Sequence, residues 1–238
     1  MKMIPALMAL LICFSPMNAH VRAQETDPRL NAQGGTWGFY PAQDPRPGLP
    51  RVLLIGDSVT NGYRADVCQL LKGKANVDAW INPYHQASPG LYPLIDAALT
   101  NGPYAVIHFN IGLHGWEKGR IPEGQYEPLM RGYVGEIRKE ARGARLIWAS
   151  TTPVTIKGQP GALDPEINAT ILEHNRMAAK VVGEAGIQID DLYAVGAAHP
   201  GFAKGDQFHW TAEGYRLMAG SAADSIVAAM AETRGSPN

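Results

Sequence analysis

The sequence predicts an α/β fold: a three-layer α/β/α sandwich built on a parallel five-stranded sheet. Three observations carry that expectation. From Arg51 onward, short apolar runs alternate with longer segments of helical period, the alternation that puts helices on both faces of a parallel sheet. The first run, Val52 to Ile55, is apolar without interruption, as a strand buried on both faces has to be. A chain of 238 residues is long enough for one such domain with a full core and too short for two comfortable ones.

The chain opens with Lys2, an apolar run from Ile4 to Phe14, and then Val21-Arg22-Ala23. A charged start, a short apolar stretch and small residues at a cleavage position mark a secretory signal peptide over residues 1–23, with cleavage after Ala23. The apolar run is too short to span a bilayer. The expectation is therefore a secreted or periplasmic protein with no stable membrane insertion after cleavage, an uncleaved anchor being the alternative. Cys13 follows Ile12, too bulky for the small residue that lipoprotein sites prefer. Cleavage leaves Cys68 as the single cysteine, so no intramolecular disulfide forms. Its place in the apolar pattern of the first helix reads as a small buried hydrophobe.

Residues 24–50 are rich in proline and glycine between Gly34 and Pro50 and show no period, which reads as an extended arm over the surface. Trp37, Phe39 and Tyr40 either pin this arm to the body or join a substrate rim. The folded domain is expected over residues 51–233. Its strands are expected at 52–56, 77–81, 105–111, 145–150 and 187–189, with helices between. Over 125–142, Tyr126, Leu129, Met130, Tyr133, Val134 and Ile137 share one helical face, and Gly143 ends it. Ile171, Ala178 and Val181 do the same over 167–182. The last helix starts at Thr211, a good N-cap, with Tyr215, Met218, Ala222, Ile226 and Met230 as its stripe. The proline-glycine loop over 153–165 is expected to overhang the site, and residues 234–238 read as a frayed tail. The 21 basic residues against 22 acidic ones, with no long basic run, give no footprint for nucleic acid.

Chemistry concentrates in the stretch Arg51 to Tyr63, RVLLIGDSVTNGY, where the buried strand breaks into Gly56-Asp57-Ser58. Turns at the C-terminal edge of such strands are where open α/β sheets place their sites. A serine there is a weak nucleophile until a base takes its proton. Asp206-Gln207-Phe208-His209, just before the last helix, supplies that base and an acid three residues earlier. In one irregular turn, Asp206 accepts from His209 Nδ1–H while Nε2 faces Ser58. The bland alternative is a strand-to-helix turn with a capping serine. Asp191 is the competing acid. His85 and His108 read as packed or solvated. No HxxxH, HxH or carboxylate cluster has metal-ligand spacing, so no metal or other cofactor is expected. Asn168-Ala169-Thr170 fits a glycosylation sequon but falls on a helix.

GDS after the first strand together with DxxH before the last helix resembles the SGNH (GDSL-type) hydrolase superfamily of esterases and lipases, over nearly all of the mature chain. The resemblance implies a flavodoxin-like sheet, Ser58, His209 and Asp206 as catalytic residues, and two-step acyl transfer. It also implies three oxyanion donors: the nucleophile's own N–H, a glycine N–H after the second strand, and an asparagine side chain after the third. This chain departs from the family at both later places. The third strand runs into Asn110-Ile111-Gly112-Leu113-His114-Gly115, which puts His114 where the family has asparagine and resembles a GLH-type branch of the superfamily. His114 and Asn110, two residues before Gly112, are the competing side-chain donors, the remaining alternative being that neither serves. After the second strand, Gln86, Ala87 and Ser88 all offer a backbone N–H. The resemblance and the signal peptide together imply a secreted serine esterase acting on a small-molecule or polysaccharide ester, with a carbohydrate O-acetyl esterase foremost. A lipase, lysophospholipase or thioesterase, or an inactive glycan-binding homologue, are the alternatives.

Overall fold

The computed structural model describes residue 30 and residues 36–235, with side chains through residue 232. The expected signal peptide and the first part of the arm lie outside the described residues, as does the end of the tail.

The parallel strands are β2 (Arg51–Gly56), β3 (Asn76–Ile81), β4 (Val106–Phe109), β5 (Arg145–Ala149) and β8 (Gln188–Asp190). They run side by side in the order β3-β2-β4-β5-β8, the doubly wound arrangement of a flavodoxin-like sheet. Within β2 the side chains alternate between two cores, as the two-residue period of a strand requires. Val52 and Leu54 pack with α1 (Ser58–Leu70) and α6 (Ala212–Gly235). Leu53 and Ile55 pack with α2 (Leu91–Leu99), α3 (Tyr126–Glu140) and the C-terminal half of α4 (Pro165–Glu184). Both faces of the sheet are therefore covered, which is why β2 is apolar at consecutive positions. The short helix α5 (Leu192–Ala198) completes the layer that holds α1 and α6.

The arm contributes a sixth strand. β1 (Gly38–Tyr40) lies antiparallel on the outer edge of β3, with Gly38 opposite Ile81 and Tyr40 opposite Ala79. Side chains of β3 hold the rest of the arm: Asp78 Oδ1 accepts from Ala42 N (2.7 Å), and Asn76 Oδ1 accepts from Arg46 N (2.8 Å). Asp78 also pairs with Arg51. No apolar period announces β1, because its order comes from the partner's edge.

The loop expected to overhang the site is a hairpin, β6 (Thr155–Ile156) with β7 (Gln159–Leu163). It backs the segment that carries Asp206 and His209: Thr155 N donates to Gln207 O (3.0 Å) and Gly158 N to Gly205 O (2.8 Å). Asn168, the sequon residue, is buried, and its amide donates to Val154 O and Asp164 O, both at 2.6 Å. The folded chain offers no glycosylation acceptor there. β4 ends at Phe109, two residues short of the expected strand, although Asn110 N still donates to Ile55 O of β2 at 2.9 Å. α6 continues through Gly235, into the residues read as tail.

Candidate active site

Ser58 is the first residue of α1, directly beyond the C-terminal end of β2. Asp57 caps this helix by accepting from Val59 N at 2.8 Å, which fixes the turn that presents the serine. The other half of the site arrives from 151 positions away, where His209 Nε2 lies 2.9 Å from Ser58 Oγ. Asp206 Oδ2 lies 2.8 Å from His209 Nδ1. Its Oδ1 accepts from the backbone N–H of Phe208 (3.1 Å) and of His209 (2.9 Å), so Asp206 also builds the turn that carries His209. Gln207, inside that turn, has φ of 90°, a left-handed conformation unusual for a side-chain-bearing residue. The bond from the hairpin to its carbonyl holds it there. With Nδ1–H donating to the carboxylate, Nε2 turns its lone pair to the serine hydroxyl.

Partial burial opposes the charge on Asp206. The hydrogen bonds from His209 and Phe208 outweigh it and hold the carboxyl below the usual aspartate range. Asp191 has other work: its Oδ1 accepts from Ala194 N (3.1 Å) and Ser150 Oγ (2.8 Å), capping α5.

The segment after β4 brings His114 within electrostatic reach of Asp57 and His209. Gly112 passes so close to Thr151 that a Cβ would sit 1.8 Å from its Oγ1, so only glycine permits the approach. His114 lies in a single 3₁₀ turn, half-buried. Burial lowers its pKa, with Asp57 opposing and Arg120 and His209 adding to the shift, so the ring is neutral at neutral pH. Its carbonyl accepts from Arg120 Nη1 at 2.8 Å, while the same guanidinium pairs with Glu117 at 2.8 Å. Asn110 is engaged elsewhere. Its amide donates to Ala149 O at 2.8 Å and reaches Thr151 Oγ1 at 3.5 Å, tying the ends of β4 and β5 together.

Of the amides after β3, Ala87 N donates to His85 Nδ1 (3.2 Å) and Ser88 N to His85 O (2.9 Å). Gln86 is fully buried and its side chain donates to Ile111 O at 3.1 Å. His85 is thus a buried organiser of this loop.

Sequence reading did not find three features. His108 Nε2 meets Asp190 Oδ2 at 2.8 Å in the sealed core, and Ser221 also bonds to Asp190. These residues sit far apart in the chain, so no motif signals them. Trp116 and Phe208 bring their rings to 6.2 Å beside the triad, and Phe208 inside DQFH was the available hint. Asp96, Glu136 and Glu140 gather between α2 and α3, where Lys139 pairs with both glutamates, at 2.9 and 2.8 Å.

No protein-family model and no curated protein matches the chain. Solved structures do. The crystal structure of LAE5, an α/β hydrolase enzyme from the metagenome of Lake Arreo, Spain, superposes with a TM-score of 0.59 at 14% identity, covering 76% of this chain and 95% of that one. Axe2, an acetylxylan esterase from Geobacillus stearothermophilus, superposes with a TM-score of 0.58 at 18% identity, covering 74% and 94%. The chain has the fold of these α/β hydrolases. Identity at this level speaks for the fold alone.

Proposed function

We propose that this protein is a serine esterase of the SGNH type that hydrolyses carboxylic esters, with Ser58 as nucleophile, His209 as general base and Asp206 as the orienting acid. The observation that carries the reading is the unbroken chain from Ser58 Oγ to His209 Nε2 (2.9 Å) and from His209 Nδ1 to Asp206 Oδ2 (2.8 Å). Ser58 Oγ attacks the ester carbonyl and its proton passes to Nε2 as the C–O bond forms. The resulting imidazolium is stabilised by Asp206. Collapse of the tetrahedral intermediate expels the alkoxide, which takes the proton back from Nε2. Water, deprotonated by the same nitrogen, then releases the acyl group from Ser58.

Charge on the intermediate's oxygen needs fixed donors. The Ser58 N–H is one, since the first amides of a helix have no intrahelical acceptor. The His114 ring is the side-chain donor, supported by a neutral imidazole within electrostatic reach of Asp57 and His209 and by an Asn110 amide whose two N–H groups are directed at Ala149 O and Thr151 Oγ1. The substrate class we propose is an O-acetylated carbohydrate. It is supported by the rings of Trp116 and Phe208 beside the triad, flat surfaces suited to a sugar face, and by the acetylxylan esterase among the structural neighbours. The signal-peptide pattern supports export to the periplasm or medium.

Wild type should react with a fluorophosphonate probe and release 4-nitrophenol fastest from the acetate in a series of acyl lengths. Ser58→Ala should abolish both. Labelling that survives Ser58→Ala would overturn the nucleophile. A preference for long acyl chains would overturn the acetyl ester while leaving the triad in place.

A further inference from the structure

The imidazole of His114 makes no hydrogen bond to any described residue, yet an oxyanion donor has to be held in one orientation. Arg120 fixes the backbone of His114, not its ring. The ring's neighbour is Trp37, at 5.8 Å between centroids and 83° between planes, an edge-to-face contact. Trp37 belongs to the N-terminal arm, and the sheet register explains how it gets there. Antiparallel pairing puts Gly38 opposite Ile81, the last residue of β3, so the residue before Gly38 lies at the C-terminal edge of the sheet, where the triad sits. The arm's other anchors keep that register. Ala42 N and Arg46 N are bound by Asp78 and Asn76 of β3, and the Arg64 guanidinium of α1 stacks 4.1 Å over the Tyr40 ring.

We infer that Trp37 is a positioning residue: its indole holds the His114 imidazole in the orientation from which a ring N–H meets the oxyanion. The inference rests on the esterase reading, and it makes the arm part of the active site. A ring turning about its terminal torsion has a broad, two-fold choice of orientation unless neighbours restrict it. The brace removes that freedom before substrate arrives, which is where a preorganised donor gains its effect. In family members with asparagine at this place, no such ring has to be held.

Two measurements test it on the full-length chain. In kinetics with 4-nitrophenyl acetate, Trp37→Ala should lower kcat roughly tenfold to a hundredfold, with KM nearly unchanged. Trp37→Phe, which keeps an aromatic ring, should restore most of the loss. In a His114→Ala background, Trp37→Ala should cost no more than about twofold, because the group it positions is already gone. Equal losses in both backgrounds would overturn the inference, as would a raised KM with unchanged kcat, which would make Trp37 a substrate rim instead. The second measurement does not depend on turnover. In histidine-labelled protein, the His114 ring signals should move when Trp37 becomes Ala, as the indole ring current is lost. Unmoved signals in an active enzyme would sink the brace alone. Moved signals in a wild type that hydrolyses no ester would sink the esterase reading and leave the contact standing.

Discussion

Asp206→Asn is the perturbation that reads the site most directly, because the structure says which of its bonds survive. Asp206 accepts three hydrogen bonds, two through Oδ1 from the backbone of Phe208 and His209 and one through Oδ2 from the His209 ring. An asparagine can keep its oxygen on the two backbone N–H groups, so the turn should fold as before. Its amide nitrogen then faces Nδ1 and can only donate to it. The imidazole must switch its proton to Nε2, the nitrogen 2.9 Å from Ser58 Oγ, and a protonated Nε2 cannot take the serine proton. The variant loses on two counts. A charge-assisted bond to the imidazolium disappears, about 1.5 kcal/mol at the low end of its range, because the Asp206 side chain is 45% exposed. The wrong tautomer adds the larger share, giving a total loss in kcat of about two to four orders of magnitude. Initial rates on 4-nitrophenyl acetate measure it, with thermal unfolding as the control for the turn. Ser58→Ala and His209→Ala should each cost more, and their combination little beyond either alone, since the groups act as a unit. Activity within about fivefold of wild type in a normally folded Asp206→Asn variant would refute the argument. So would a larger loss from Asp191→Asn, which should only weaken the cap of α5.

The remaining predictions use other contacts. A Cβ at Gly62 would lie 2.1 Å from Tyr215 Cζ where about 3.5–4.0 Å is needed, so Gly62→Ala should force α1 and α6 apart. Overpacking costs about 1–3 kcal/mol, less at most about 1 kcal/mol of gained helix propensity. kcat should fall because these helices carry or follow Ser58 and His209, and adding Tyr215→Leu should restore it. A Gly62→Ala variant that melts higher and turns over normally contradicts the close approach. His114→Ala should cost about two to three orders of magnitude in kcat with KM little changed, whereas Asn110→Ala should act through stability, by about 1–3 kcal/mol in denaturant titration. The reverse pattern would make Asn110 the donor. Acid acts on turnover and on stability separately. A protonated base cannot take the serine proton, so kcat/KM should fall in acid, while the Asp206 carboxyl, held below its usual range, resists protonation. His114 has a depressed folded pKa, so the unfolded chain binds its proton first. Stability should therefore drop as pH falls below about 6.5 and level off once the depressed value is passed. His114→Gln should flatten that part of the melting-temperature profile, and an unchanged profile would place the acid sensitivity in another group.

Much of the molecule is legible in the sequence because the relevant physics acts between near neighbours. A strand buried on both faces must be apolar at every position, and Val52 to Ile55 are. A surface helix must repeat its apolar residues at its own period, as Tyr126 to Ile137 do. Asp206 and His209, three residues apart in Asp206-Gln207-Phe208-His209, form their bond within one turn, so local spacing suffices to pair them. Ser58 is legible for the same reason, as a polar break at the end of a buried run. What tertiary structure alone decided are the meetings of residues whose spacing carries no period. β1 exists because the edge of β3 offers free backbone groups, which no property of Gly38–Tyr40 announces. Asn110 and His114 are both sound donors on paper. Only the fold shows that neighbouring segments put acceptors on the Asn110 amide, Ala149 O and Thr151 Oγ1, and none on the His114 ring among the described residues. The hairpin behind Gln207, the buried pair of His108 with Asp190 and the contact of Trp37 with His114 likewise depend on how the whole chain closes. Each joins segments dozens of residues apart, and their geometry is set by the packing of the sheet between them, not by anything either segment encodes alone.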